Sequence, residues 1–200
     1  MNAEALRARL ASLSDRRFAP HVLRDHGADA AERTLVPAAV LVPIVLGSSP
    51  GVVLTKRTAH LARHAGQVSF PGGRIDPADP SPEAAALREA HEEIGLDPAA
   101  VELRGRLAPY ITGTGYRITP VVGLLPPEPV LRPAPDEVEA VFELSVEVLL
   151  DPAAPRRETR QDAGRRREFW VWPHRQHYIW GATAAILLEL AAVLRGQGDG

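Results

Sequence analysis

The sequence predicts an α/β sandwich built around a single core. Strand-like and helix-like segments alternate along the chain, and 45% of the 200 residues are hydrophobic, which is enough to fill one core. The net charge of −2 argues against a protein that coats nucleic acid through bulk charge, because such binding needs a basic surface. We therefore expect one globular domain and no nucleic-acid partner.

The first half of the chain alternates apolar segments with turn residues. Residues 4–14 are predicted to form an amphipathic helix, and the strands are predicted at residues 36–46, 51–57 and 67–70. The last of these strands ends at Pro71, Gly72 and Gly73. Ser81 is a suitable helix N-cap and Gly95 a suitable C-terminal stop, so a second helix is predicted between them.

The second half begins with strands and ends with a helix. The strands are predicted at residues 101–110, 117–125, 137–144 and 168–172, and the helix at residues 182–195. A proline-rich loop is predicted at 126–135, and a polar, arginine-rich surface loop at 151–167. We expect the final helix to expose apolar side chains, which would suit a homodimer.

Residues 1–34 are predicted to form a helical extension that packs on a single domain of residues 35–197. The absence of cysteine excludes disulfides and cysteine-bound zinc. The segment Met1–Phe18 lacks the apolar core of a signal peptide, and the longest apolar stretch, Ala182–Leu194, is too short to span a bilayer. We therefore expect a cytoplasmic protein without a membrane partner.

Three carboxylates share one face of the predicted helix that ends at Gly95. Glu89, Glu92 and Glu93 are spaced i, i+3 and i+4, so they repel each other within one turn. A divalent cation would relieve that repulsion, and oxygen ligands favour Mg²⁺ or Mn²⁺. A solvated acidic face is the alternative interpretation of such a cluster taken alone.

The residues around this cluster resemble the Nudix box, G-x5-E-x7-R-E-U-x-E-E-x-G-U, in which U is a bulky aliphatic residue. The second half of the pattern is matched by Arg88, Glu89, Ala90, Glu92, Glu93, Gly95 and Leu96. The first half departs from it, because Gly73 and Arg88 are 15 positions apart, one more than in the box. Pro80 stands where the box has its first glutamate, which in the family pairs with the arginine, so the sequence leaves that salt bridge in doubt.

A stretched box of this kind resembles the branch of Nudix hydrolases that act on coenzyme A. Residues 54–73, LTKRTAHLARHAGQVSFPGG, are similar to a second signature of that branch. The resemblance implies a Nudix-type α/β/α sandwich with a mixed sheet. It also implies hydrolysis of the pyrophosphate bond of coenzyme A or a derivative, giving 3′,5′-ADP and 4′-phosphopantetheine.

The resemblance also assigns roles to individual residues. Glu89 and Glu93 would be the primary metal ligands, completed by Glu92 and by a carbonyl of the loop at Gly73. Arg88 would organise the neighbouring carboxylates. Either a glutamate of the box or the later Glu137 would be the general base, although Glu137 could equally be a solvent-facing carboxylate.

The segment 56–64 is basic, and a substrate with a pyrophosphate and a 3′-phosphate would suit it. Lys56, Arg57 and Arg63 are the candidate phosphate contacts, with a solvated basic loop as the alternative. Tyr116 is a candidate stacking residue for adenine or pantetheine. The three tryptophans, 170, 172 and 180, are predicted to pack in the core.

Two other functions remain open at this stage. A Nudix enzyme could cleave ADP-ribose or a dinucleotide such as NADH, although the segment 54–73 argues against it. A Nudix-like module could bind a nucleotide without chemistry. Such modules usually lose glutamates of the box, whereas all three are present here.

Overall fold

The computed structural model describes residues 1–15, 23–24, 35–60, 65–162 and 165–197. Its α-helices are α1 (Ala3–Leu10), α2 (Ser12–Asp15), α3 (Pro82–Ile94), α4 (Val146–Leu150) and α5 (Gly181–Arg195). Its first strands are β1 (Leu23–Arg24), β2 (Val36–Val45), β3 (Gly51–Arg57), β4 (Val68–Ser69), β5 (Gly72–Arg74) and β6 (Glu102–Arg106). The later strands are β7 (Tyr110–Ile111), β8 (Tyr116–Leu125), β9 (Val138–Ser145), β10 (Arg156–Asp162), β11 (Arg165–Trp172) and β12 (Ile179–Trp180).

The main sheet is mixed, and helices cover both of its faces. Strand β2 pairs in parallel with β8 along its whole length and antiparallel with β3 and β5. Helix α3 packs on one face over a cluster that includes Ala86 and Ile94, and α5 packs on the other over a larger cluster. The predicted α/β sandwich with a mixed sheet is confirmed.

Strands β2 and β3 separate near the loop that precedes α3. They pair only at Ile44–Val52 and Val45–Gly51; farther along, β5 pairs with β2, and β4 pairs with β3. The segment from β4 to β5 thus lies between the two strands and brings Gly72 and Gly73 against the sheet. This arrangement fixes the loop that leads into α3.

Helix α3 has the ends that the sequence predicts. The Ser81 side chain accepts a hydrogen bond from the Ala84 amide at 3.2 Å, and Pro82 occupies the first turn. Gly95 ends the helix in the left-handed conformation, with φ of 62°. Each cap involves residues only a few positions apart in the sequence, so the ends of the helix could be predicted without knowledge of tertiary contacts.

The prediction of a surface loop at residues 151–167 was wrong. Most of it belongs to the antiparallel hairpin β10–β11, in which Arg156 pairs with Val171 and Asp162 with Arg165. Residues 163 and 164 lie outside the described residues. The side chains of residues 156–161 in β10 are exposed, so this strand has no apolar alternation from which it could be predicted.

The predicted strand at 101–110 is divided into β6 and β7, which both pair with β8. The predicted helix at 4–14 is likewise observed as α1 and α2. Leu6, Leu10 and Leu13 from this region are buried in the same core cluster as α5. Residues 16–22 and 25–34 of the predicted extension lie outside the described residues, so its boundary stays a prediction.

Helix α5 is buried instead of exposed. Eight of its residues are buried: Thr183, Ala184, Ile186, Leu187, Leu190, Ala191, Val193 and Leu194. The expectation of an exposed apolar face was therefore wrong, and the argument for a homodimer loses its basis. Within the described residues, the helices all fall short of the length and apolar character that crossing a bilayer requires.

Candidate active site

Helix α3 presents its three predicted metal ligands at different depths. The exposed fraction is 4% for the side chain of Glu93, 18% for Glu89 and 57% for Glu92. The i, i+4 spacing puts Glu89 and Glu93 next to each other on the side that faces the Gly72–Gly73 loop. The two innermost carboxylates are thus withdrawn from water, where a charged group is costly.

Both oxygens of Glu93 are held by groups from other elements. Its Oε2 accepts a hydrogen bond from the Gly72 amide at 3.2 Å, and its Oε1 lies 3.1 Å from Nη1 of Arg57 on β3. Burial nevertheless raises the pKa of Glu93 to about 7, with Glu89 and Glu137 adding to the increase. Desolvation and neighbouring negative charge therefore outweigh the two favourable contacts.

The carboxylate of Glu89 is subject to the same two effects, burial and neighbouring negative charge. Burial raises the pKa of Glu89, and the charges of Glu92 and Glu137 act in the same direction, whereas Arg88 opposes them. Glu137 thus lies close enough to influence both inner carboxylates, although it is itself exposed. The structure brings the predicted later acid to the box glutamates; its role as general base stays a prediction.

The proline-rich loop positions Glu137 by docking on the end of α3. The amides of Arg132 and Ala134 donate to the carbonyls of Ile94 and Glu93, at 2.6 and 2.9 Å. These bonds satisfy carbonyls that a helix end leaves without partners. Farther along, the Glu137 carbonyl accepts from the Thr58 amide at 3.0 Å, which ties this acid to the end of β3.

Arg88 organises the acidic groups, and its main partner is a residue that the sequence analysis missed. Its Nε and Nη2 donate to the two carboxylate oxygens of Asp79 at 3.1 and 2.9 Å. Its Nη1 donates to Glu89 at 3.0 Å and to Glu92 at 3.2 Å. Asp79 thus supplies the carboxylate that the sequence seemed to lack at Pro80.

The spacing of the box shows where the extra residue lies. Asp79 is six positions after Gly73, as the acid of the box should be, so the insertion falls between Asp79 and Arg88. The Asp79 amide donates to the Asp76 carbonyl at 2.9 Å, and the Asp76 amide donates to the Asp79 carboxylate at 2.8 Å. This closed turn holds the Asp79 carboxylate in place, and Arg88 lowers its pKa.

We expect Asp79→Asn to lower turnover about tenfold or more, because Arg88 would lose the bidentate contact that orients it toward Glu89. The measurement is kcat together with the thermal midpoint of unfolding. Asp76→Asn is the matched control, because its carboxylate is 63% exposed and 3.8 Å from Arg88. Equal activity in the two variants would show that Asp79 does not position the site.

The two loop glycines serve different purposes. Gly72 has a φ of +156°, and a Cβ there would come within 2.5 Å of the Ala39 carbonyl oxygen. A Cβ on Gly73 would instead meet the carboxylate of Glu89 at 2.6 Å. The unusual backbone angle therefore belongs to Gly72, whereas Gly73 is needed for the close approach of Glu89. The metal contact of the Gly73 carbonyl stays a prediction.

The predicted phosphate-binding residues do not lie together in the structure. Arg57 lies against Glu93, whereas Lys56 pairs with Glu139 at 2.6 Å on β9. The Tyr116 hydroxyl accepts a hydrogen bond from Arg74, the residue that follows Gly73, at 3.1 Å. Arg63 lies outside the described residues. The structure therefore separates Arg57 from Lys56 and gives Arg57 the position nearest the carboxylates.

Within the described part of the chain, no group of three or more His, Asp or Glu side chains is already arranged to hold a metal ion. The reason is visible in the contacts, because Arg88 holds Glu89 and Glu92 while Arg57 holds Glu93. The donor set nevertheless suits a hard divalent cation. It includes the adjacent carboxylates of Glu89 and Glu93, whose pKa values are raised chiefly by burial.

Comparison with known proteins agrees with this geometry. The model of the NUDIX domain matches residues 35–172. The proteins called "Uncharacterized Nudix hydrolase NudL" from Escherichia coli (strain K12) and from Shigella boydii serotype 18 are each 47% identical over 154 residues, covering 77% of this chain and 80% of the relative. A MutT/nudix family protein from Enterococcus faecalis has a similar fold, with a TM-score of 0.51 at 16% identity, over 94% of this chain and 69% of that one. This protein therefore belongs to the Nudix family of hydrolases, which cleave pyrophosphate bonds in nucleoside diphosphate derivatives and generally use divalent metal ions.

Proposed function

We propose that this enzyme hydrolyses the pyrophosphate bond of coenzyme A or one of its derivatives, giving 3′,5′-ADP and 4′-phosphopantetheine. The contact between Arg57 and Glu93, 3.1 Å long, is the observation that carries the proposal. It joins the segment 54–73, which resembles the signature of coenzyme A hydrolases, to the glutamates of the box. The segment therefore borders the place where a pyrophosphate is cleaved.

The residues that would hold Mg²⁺ or Mn²⁺ are Glu89 and Glu93, with Glu92 and a carbonyl of Gly73 completing the set. When bound, the cation would neutralise charge on the pyrophosphate and orient its oxygens for attack by water. In the structure, Arg57 and Arg88 contact Glu93 and Glu89, and the cation would take the place of these contacts. Burial raises the pKa values of both carboxyl groups, and a bound cation would offset the cost of burying their charges.

Three side chains would then act on the substrate or on its attacking water. Arg57, which lies beside Glu93, would be a cation next to the pyrophosphate and could bind its oxygens in bidentate fashion. Glu137, close to both inner carboxylates, is our candidate for the general base. Arg88 keeps its bidentate contact with Asp79 and so fixes the position of α3 relative to the loop that contains Asp79.

The test is to identify products by mass spectrometry after supplying coenzyme A, ADP-ribose and NADH separately with Mg²⁺. The proposal expects 3′,5′-ADP and 4′-phosphopantetheine from coenzyme A, at a kcat/KM well above those of the other two substrates. Preferential cleavage of ADP-ribose or NADH would replace coenzyme A with that substrate. Binding without turnover of any of the three would favour a non-catalytic nucleotide-binding module.

Arg57→Ala tests which phosphate this arginine binds. Because Arg57 lies at Glu93, we expect kcat/KM to fall about 10- to 150-fold on both coenzyme A and dephospho-coenzyme A, the loss of roughly 1.5–3 kcal/mol of a charge-assisted contact. Lys56→Ala is the control, since its partner is Glu139. A loss confined to coenzyme A would place Arg57 on the 3′-phosphate instead of the pyrophosphate.

A further inference from the structure

Thr58, the residue that follows β3, is buried although its side chain is polar. It is only 6% exposed. Its hydroxyl donates a hydrogen bond to the Asp136 carbonyl at 3.2 Å, and its amide donates to the Glu137 carbonyl at 3.0 Å. One residue therefore binds two successive peptide groups of the loop that precedes β9.

The register between β3 and β9 brings Thr58 to this loop. The pairing shifts between Lys56 and Arg57, where β9 contains one extra residue. With regular pairing, Thr58 would come opposite Val138, whereas the extra residue places Glu137 beside it. Bulges of this kind are frequent next to active sites, where they change the direction of neighbouring side chains.

The same loop is bound to α3 on its other side. The Ala134 amide donates to the Glu93 carbonyl at 2.9 Å, and the Ala134 carbonyl accepts from the amides of Glu137 and Val138 at 3.0 and 2.8 Å. The turn that carries Glu137 is thus fixed between the last turn of α3 and the end of β3. The charge of Glu137 contributes to the raised pKa values of Glu89 and Glu93, so its carboxylate lies near both.

We propose that Thr58 is a positioning residue, whose hydroxyl holds the turn of residues 134–137 so that the Glu137 carboxylate meets the attacking water. Glu137 would accept one proton from that water as the water oxygen bonds to phosphorus. The bridging P–O bond would break, and its electron pair would leave with the other phosphate. Thr58 itself would not touch the substrate.

The reason for such a device is that Glu137 is exposed and lies in a loop. A general base acts only within hydrogen-bonding distance of the proton it removes, so an acid that is free to move would be in place for part of the time. A second anchor on its peptide group restricts that motion. The inference rests on the proposed role of Glu137 as general base, but not on coenzyme A as the substrate.

Thr58→Val tests the proposal, because valine has nearly the same shape but no hydroxyl to donate. Thr58→Ala is a second variant that removes the hydroxyl, and Thr58→Ser restores it. Thr183→Val is the matched control, since Thr183 of α5 is similarly buried and its hydroxyl donates to the Val68 carbonyl at 2.9 Å. Each change is made in the wild type and in Glu137→Gln, and thermal unfolding verifies that the variants fold.

The measurement is kcat and KM at saturating Mg²⁺. We expect Thr58→Val and Thr58→Ala to lower kcat about tenfold with little change in KM, and Thr58→Ser to stay within about threefold of wild type. Glu137→Gln should lower kcat about 100-fold or more. In that background Thr58→Val should cause little further loss, because the acid that it positions is gone, whereas Thr183→Val should have the same effect in both backgrounds.

Equal losses from Thr58→Val in the two backgrounds would overturn the proposal and make Thr58 a structural residue only. A normal kcat in both Thr58→Val and Thr58→Ala would overturn it as well. Near-normal kcat in Glu137→Gln would contradict the proposed general base and this inference with it. Cleavage of ADP-ribose in place of coenzyme A would contradict the proposed substrate alone, because the same variants, assayed on ADP-ribose, would still decide the role of Thr58.

Discussion

Glu93→Gln is expected to lower turnover about a thousandfold and, in the absence of metal, to make the protein more stable at pH 8. The loss of turnover follows because a neutral amide is a poor ligand for a hard cation. The gain in stability follows because the Glu93 carboxylate is 4% exposed and burial raises its pKa to about 7. An amide of the same shape removes a buried charge that the fold holds at a cost.

The dependence on pH has a definite sign. A carboxyl whose pKa is raised in the folded state stabilises the protein fully below its unfolded pKa and loses that contribution as pH rises through the folded value. The wild type should therefore lose stability relative to Glu93→Gln between its ordinary value of 4.5 and about pH 7, with little further change above. At about 1.4 kcal/mol per unit, the free energy of unfolding of the wild type should fall relative to that of Glu93→Gln by up to about 3 kcal/mol between pH 4.5 and pH 8.

The measurement is denaturant unfolding of both proteins in a chelator at pH 5 and pH 8, together with kcat at limiting Mg²⁺. Glu92→Gln is the control for stability, because its side chain is 57% exposed. A Glu93→Gln protein less stable than wild type at pH 8 would mean that the ion pair with Arg57 outweighs the cost of burial. Near-normal turnover of the folded variant would sink the assignment of Glu93 as a metal ligand.

Helix α3 could be predicted from sequence because its signals are local. Ser81 and Gly95 mark its ends through bonds to residues a few positions away, and the i, i+3, i+4 spacing alone places Glu89, Glu92 and Glu93 on one face. Burial of Glu93 could not be predicted in this way. It depends on the Gly72 amide and Arg57, which come from two other elements.

The sequence conceals Asp79 as the partner of Arg88, because the box counted back from the Arg-Glu pair reaches Pro80. Counting forward from Gly73 instead reaches Asp79 at the position of the acid. The separation of Lys56 from Arg57 has a different origin, since successive side chains of β3 point to opposite faces of the sheet. The contact of Arg57 with Glu93, in contrast, joins two elements that are far apart in the sequence and leaves no local signal.

The burial of helix α5, in contrast, is indicated by its own sequence. Helix α5 is apolar around most of its circumference, and such a helix is usually buried. The sequence does not reveal which element packs over α5. In the structure, Leu6 and Leu10 of α1 complete the core on that side.

Gly73→Ala and Gly72→Ala are expected to damage different properties of the enzyme. A Cβ at Gly73 would meet only the end of the Glu89 side chain, at 2.6 Å, so the carboxylate must move while the fold survives. Displacement of a ligand by about 1 Å should lower turnover about 100-fold and weaken Mn²⁺ binding, with little change in the thermal midpoint. A Cβ at Gly72 would meet the Ala39 carbonyl oxygen at 2.5 Å at a φ of +156°, which should destabilise the fold by about 2 kcal/mol or more.

The two variants are compared by Mn²⁺ affinity, kcat and thermal unfolding. Gly47→Ala serves as the control, because a Cβ there has nothing within 4 Å. Normal Mn²⁺ affinity and turnover in Gly73→Ala would reduce the loop to a connector between β4 and α3. A loss of stability in Gly73→Ala as large as that in Gly72→Ala would show that the Glu89 side chain cannot move away. The Glu89 carboxylate would then be needed for stability as well as for metal binding.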